Sequence, residues 1–174
     1  MKRTTKFLPL IVAFLFAGCI VTGNVLIVIE LEDAGLQTGE DFKVWEVSKE
    51  KSSDWKEHED DINHVVDIGF SMIITNNNTA NAATGEFYIS KNGNLANASQ
   101  VRANGIKILG GIEVAPGATK KITWPDSYNY LSNFDILKQY VMDGGFWVYA
   151  TGIGTNLNID IKNPAVILTI NAKP

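Results

Sequence analysis

Few side chains in this 174-residue chain are of types that do chemistry, and their spacing narrows the choices further. There is one cysteine, Cys19, and there are two histidines, His58 and His64. His58-Glu59-Asp60-Asp61 offers an imidazole beside three carboxylates. Zinc hydrolysis on a helix needs a second histidine four residues after the first, and that position is Ile62. His64 comes two residues too late, so these charges read as a solvated surface and no metal site is assigned. Calcium held by loop oxygens of Asp60, Asp61 or Asp126 is an alternative that no EF-hand spacing supports. No Gly-x-Ser-x-Gly elbow is present for a nucleophilic serine. Gly152-Ile153-Gly154 lacks the third glycine of a dinucleotide loop and reads as a bulge or turn. No catalytic residue and no cofactor is expected.

Recognition chemistry is better represented. Trp124-Pro125-Asp126-Ser127-Tyr128-Asn129-Tyr130 places three aromatic rings among short polar side chains on a proline-started loop. Trp124, Asp126, Tyr128 and Tyr130 are therefore the candidate binding residues, a flat polar-rimmed platform for a glycan or a protein. The competing reading is that the rings fold back over the end of the domain, as half-buried aromatics commonly do.

The position of Cys19 carries a different chemistry. Lys2, Arg3 and Lys6 precede an apolar run from Phe7 to Ala17, and Ala17-Gly18 leads into the cysteine. Basic, then apolar, then small is the layout of a secretory signal. With Cys19 directly after the small pair, Leu15-Phe16-Ala17-Gly18-Cys19 resembles the lipobox of bacterial membrane lipoproteins, with Phe16 where that class usually has Leu or Val. The resemblance implies removal of residues 1–18 and a diacylglyceryl group on the Cys19 thiol. It also implies an exported, membrane-anchored protein of the cell envelope. Ile20 stands where that class carries the Asp that retains lipoproteins in the inner membrane, so the outer membrane, cell surface or periplasm is the expected address. A transmembrane helix is the alternative, because no charge falls between Lys6 and Glu30. Thr22-Gly23-Asn24 interrupts that helix, and the β-branched run after it suits a strand.

Processing would shorten the chain from 174 to 156 residues, one domain, residues 19–174. It would also cut the 15 basic residues to 12 against 19 acidic, a net charge of about −7. An acidic domain without a Lys or Arg stripe excludes nucleic acid as partner. A domain of this size buries roughly 70% of its unfolded surface and needs no disulfide.

The elements that must position these residues are mostly strands. Val25 to Leu31 is apolar on both faces and reads as a well-covered strand; Phe42 to Val47 is another. Ser48 to Asp61 is dense in charge, a solvated helix or loop that Ser53 caps. Val66, Ile68, Phe70, Met72 and Ile74 alternate with more polar residues, so that set faces a core. Asn76 to Gly85 and Lys91 to Gly105 read as polar loops around a strand at Phe87 and Ile89. Ile106 to Val114 is either a hairpin turning at Gly110-Gly111 or one strand with a glycine bulge. Lys121 to Trp124 is extended.

One helix is expected from about Asn133 to Asp143, with Phe134, Leu137, Tyr140 and Val141 on one face and Gly144-Gly145 ending it. Three closing strands follow at Phe146–Thr151, Ile153–Ile161 and Ala165–Ile170, with Asn163-Pro164 turning the last corner. Roughly nine strands and one short crossover helix predict a mainly β fold, an antiparallel immunoglobulin-like β-sandwich. Phe70 to Ser90, an extended run into Thr75-Asn76 and a second strand after a loop, resembles the seven-stranded sandwich of desiccation-related LEA-type proteins. That resemblance implies an immunoglobulin-like fold without a known active site. The expected function is a non-enzymatic structural or binding role, tethered through Cys19. An envelope hydrolase or metal-dependent enzyme with a dispersed site, or a subunit of a surface assembly, are the alternatives.

Overall fold

The computed structural model describes residues 23–59, 62–154 and 156–172. Cys19, Asp60 and Asp61 lie outside them. In chain order the elements are β1 (Asn24–Glu30), β2 (Ala34–Leu36), β3 (Phe42–Ser48), α1 (Ser53–Glu57), β4 (Ile62–Asn76), β5 (Ala83–Ser90) and α2 (Ala98–Asn104). There follow β6 (Ile106–Val114), β7 (Thr119–Ile122), α3 (Trp124–Ser127), α4 (Phe134–Met142), β8 (Gly145–Ile153) and β9 (Ile159–Ala172). Two antiparallel sheets form the β-sandwich. The first has the order β1-β9-β4-β7 with β2 also on β9; the second has the order β3-β8-β5-β6.

Alternation drives the assembly. Ile27 and Ile29 of β1, Val166, Leu168 and Ile170 of β9, and Ile68, Phe70, Met72 and Ile74 of β4 are buried on the inner face of the first sheet. They meet Trp45, Val47, Phe87, Ile89, Ile108, Leu109, Phe146 and Val148 in one core cluster. Each such side chain, removed from water, contributes on the order of 1.5–3 kcal/mol. The predicted helix is α4, with Leu137 and Val141 fully in this core and Phe134 and Tyr140 packed against it.

The second sheet is also covered on its outer face. Tyr88, Leu95, Val101 and Tyr149 form a separate cluster with Phe42, Val44 and Trp147 beside them. The 91–105 segment supplies Leu95 and Val101, and it holds a helix, α2, where its polar composition predicts loop. Asn97 accepts from the Gln100 amide at 2.8 Å and starts it.

Several expected boundaries are corrected. A single residue inserted in β4 shifts the phase at its start, so Val65 is buried and Val66 is 37% exposed, the reverse of simple alternation. Ile106 to Val114 is one bulged strand: Glu86 faces both Gly110 and Gly111, and Gly111 takes φ +72°. Ile153–Ile161 is not a strand. β8 ends at Ile153, Leu157 tucks into the core, and β9 then runs straight through Asn163-Pro164. Those two residues oppose Met72 alone as a bulge, with Asn163 at φ +48° and its amide donating to Asp33 Oδ1 at 2.8 Å.

Over its described residues the charged 48–61 stretch keeps Glu50, Lys51, Asp54, Lys56 and Glu57 exposed, but it also packs inward. Ser52, not Ser53, caps α1 by accepting from the Trp55 amide at 3.2 Å, and Trp55 is sunk in the main core. Three further short helices therefore accompany α4. Lastly, β1 is covered on one face only: Leu26 is 52% and Val28 44% exposed. Its seven-residue pairing with β9 removes residues 24–30 from the alternative transmembrane helix. Among the described residues no helix is long and apolar enough to cross a membrane.

Candidate functional site

The Trp124–Tyr130 segment is a strap between the two sheets. β7 pairs with β4 only at Met72–Thr75, which leaves the earlier part of the β4 edge open on that side. An open edge presents backbone donors that another chain can recruit. Here the strap meets them. Thr123 Oγ1 donates to Asp126 Oδ2 at 2.6 Å, and the Thr123 amide donates to the same oxygen at 3.1 Å, which fixes the turn of α3. Pro125 fits because amides in a first helical turn have no intrahelical partner to lose. Ser127, fully buried, accepts from the Phe70 amide at 3.1 Å and donates to the Trp124 carbonyl at 2.7 Å. Asp67 Oδ1 accepts from the Ile68 amide at 2.8 Å, and its Oδ2 accepts a short hydrogen bond from the Tyr128 hydroxyl.

The strap then reaches the second sheet. The Gly110 amide donates to the Tyr130 carbonyl at 3.3 Å, Leu131 bridges Leu109, and the Ser132 amide donates to the Ile108 carbonyl at 2.7 Å. Lys120 lies 5.2 Å from the Tyr130 ring centre.

The four candidate binding residues are thus differently placed. Trp124 is half-buried, with its pyrrole edge against Gly69, where a methyl group would stand 2.6 Å from Nε1. Its indole N–H is buried without a hydrogen-bond partner. Tyr128 is 40% exposed. Partial burial, the hydrogen bond to Asp67 and the Asp67 charge push its hydroxyl up to about 12, while the nearby Trp124 indole pulls the other way. Asp126 is exposed, its carboxyl held below the ordinary range by the Thr123 side-chain hydrogen bond and then by the Thr123 amide. Tyr130 is half-buried against the main core. Trp124 and Tyr128 therefore share the outer face of the first sheet above Gly69 and Asp67, and Tyr130 turns inward.

The other candidates do not converge with these. His58 ends α1 and His64 lies exposed on β4 opposite Asn171. Among the described residues no group of three or more His, Cys, Asp or Glu side chains is arranged to hold a metal ion. Gly152 lies in β8 opposite Gly85 and Gly154 just past the end of that strand, where Arg102 Nη2 donates to the carbonyls of Gly39 at 2.7 Å and Gly152 at 2.9 Å.

One polar cluster was not read from the sequence. Glu86, nearly buried on the second sheet, accepts from Tyr88 at 2.7 Å and from Lys107 at 3.0 Å. Burial pushes its carboxyl up, but the Tyr88 and Lys107 hydrogen bonds and the Lys107 and Arg102 charges outweigh it and hold it below the ordinary glutamate range. Tyr88 in turn is pushed up to about 12, first by burial and then by Glu86. Alternation around Phe87 and Ile89 places Glu86 and Tyr88 together on the outward side; only the covering segment makes that side an interior. Every partner in this cluster is internal, which is the arrangement of a structural ion pair.

No protein-family model and no curated protein matches the sequence. Among solved structures, a chain in the structure of infectious bursal disease virus, Gx strain, is similar with a TM-score of 0.38 and 8% identity, covering 85% of this chain. The present chain spans about a third of that one's length, 32%.

Proposed function

We propose that this protein is a cell-envelope lipoprotein, a β-sandwich tethered through an acylated Cys19 and serving a structural or binding role without catalysis. The observation that carries the proposal is the basic, apolar, small-residue order that ends at Cys19, with β1 of the sandwich beginning five residues later at Asn24. What supports the non-catalytic role is how the candidate chemical groups are used: Asp67, Ser127 and Asp126 each hold a backbone amide of the fold, and Tyr128 is tied to Asp67. The binding face is then the outer face of the first sheet, where Trp124 and Tyr128 sit. Intact-mass measurement on membrane-extracted protein tests the anchor. The expected species begins at Cys19 and carries two or three acyl chains, each adding about 0.8 kcal/mol of membrane affinity per buried methylene. Cys19→Ser is expected to retain the leader and lose the lipid; an unmodified Cys19 in the native protein refutes the proposal.

A further inference from the structure

The sequence predicts β1 to be covered on both faces, and the structure leaves Leu26 and Val28 standing in solvent. The sheet register shows what lies beside them. Leu26 is in line with Thr169 of β9 and Asp67 of β4, and Val28 with Ile167 and Gly69. Since the Trp124 ring occupies the space above Gly69, Val28, Ile167 and Trp124 make an apolar strip across three strands, roughly 10 Å wide at the usual strand spacing. Leu26 widens it at one end, and Tyr128, with its hydroxyl tied to Asp67, borders it. In these rows and the two that flank them, Asn24-Asn171-His64 and Glu30-Ala165-Ser71, the ionisable groups are His64, Asp67, already hydrogen-bonded, and exposed Glu30, which with Lys51 and Asp54 borders Val28 at the β1 edge.

The strip's place in the chain identifies its occupant. Gly23 is four residues after Cys19, a reach of at most about 14 Å for an extended chain. β1 is therefore the element held nearest the anchor, and its outward face is the apolar one. Tyr128, 40% exposed beside aliphatic side chains, suits the boundary between headgroups and acyl chains, where aromatic rings collect. A tether this short raises the effective concentration of surface into the millimolar range, so a small patch suffices. The net acidic charge of the domain opposes anionic headgroups and favours zwitterionic ones.

From this we infer that the outer face of the first sheet rests on a zwitterionic phospholipid surface, with Leu26, Val28, Ile167 and Trp124 at the interface. The inference rests on the proposed anchor and names the partner of the same face. Full-length protein extracted with its lipid, and reconstituted into phosphatidylcholine vesicles with or without bromine on the acyl chains, tests it through tryptophan emission. Trp45 and Trp55 are in the core and Trp147 is on the opposite sheet, so bromine is expected to quench the Trp124 share alone. That quenching should vanish in Trp124→Phe and fall at least twofold in Leu26→Ser/Val28→Ser, whose solvent-facing changes leave the fold intact. Unquenched emission from protein whose mass shows an acylated Cys19 overturns the inference and leaves the anchor standing. Absent quenching together with a doubled sedimentation mass assigns the face to a second copy, and quenching displaced by a soluble protein or glycan assigns it to that ligand; either overturns the inference. An unacylated Cys19 overturns the anchor and the inference together.

Discussion

Gly69→Ala isolates the contact that seats the strap on the sheet. Gly69 is an ordinary strand residue of β4 paired with Ile167, and its backbone does not need glycine. What it lacks is room. A methyl group there would overlap Trp124 Cδ1 and stand 2.6 Å from Nε1 and 3.0 Å from Ser127 Oγ. Both neighbours belong to α3, so the strap must lift. Overpacking of this kind costs about 1–3 kcal/mol. Lifting also strains the hydrogen bond that the Phe70 amide donates to Ser127 Oγ, buried and worth about 1 kcal/mol. The expected loss is about 2–4 kcal/mol, a fall in Tm of roughly 6–12 °C for a domain of this size. With Trp124→Ala in place only Ser127 Oγ, 3.0 Å away, still crowds the methyl group, and that smaller cost is set against the advantage of alanine over glycine in a strand, about 0.5–1 kcal/mol. Gly69→Ala should then be close to neutral, a coupling of more than about 2 kcal/mol in a double-mutant cycle read by urea unfolding. Equal costs in the two backgrounds would refute the account.

Two further substitutions probe the polar ties. Tyr128→Ala should cost about 2 kcal/mol, less than the ~3–5 of a fully buried ring, because the side chain is 40% exposed, and Tyr128→Phe about 1 kcal/mol. In an absorbance titration, Tyr128→Phe should remove about half of the change near pH 12, the rest belonging to Tyr88. A phenol raised in the folded state stabilises it fully below the ordinary tyrosine pKa of about 10, and that contribution is lost as pH rises toward 12. Lys107→Met leaves Glu86 nearly buried beside Tyr88, at a cost of about 2 kcal/mol at neutral pH, the half-exposed lysine discounting the larger value of a fully buried pair. Glu86 is depressed in the folded state, so its stabilisation is present above the ordinary glutamate pKa and lost as pH falls below it. The cost of Lys107→Met should therefore be greatest at neutral pH and shrink as pH falls below the ordinary glutamate range, measured by urea unfolding at a series of pH values.

Local pattern determined a good part of this protein. Period-two alternation in Ile68 to Ile74 assigned the inner face of β4 correctly, because a strand with one buried side can take only one phase. The 3.6-residue spacing of Phe134, Leu137, Tyr140 and Val141 placed α4, and Asn133 and Gly144 ended it within a residue. The order of residues 2–19 defined a candidate anchor without reference to any fold, since a linear signal is read as a sequence. Tertiary structure decided the rest. Val66 points outward because a single inserted residue reverses the phase, and one residue leaves no mark in composition. Asn76 looked like loop and is fully buried, its Nδ2 donating to the Asn81 carbonyl at 2.8 Å and the Val114 carbonyl at 3.2 Å. Trp55 sits among charges in sequence and fills the core in space. Trp124 and Tyr128 are 55 or more residues from Gly69 and Asp67, and only the antiparallel register and the missing Cβ at Gly69 bring them onto one face. Leu26 and Val28 read as buried because hydrophobicity reports a preference for leaving water; which faces find cover depends on how many layers pack against the sheet, and β1 has one.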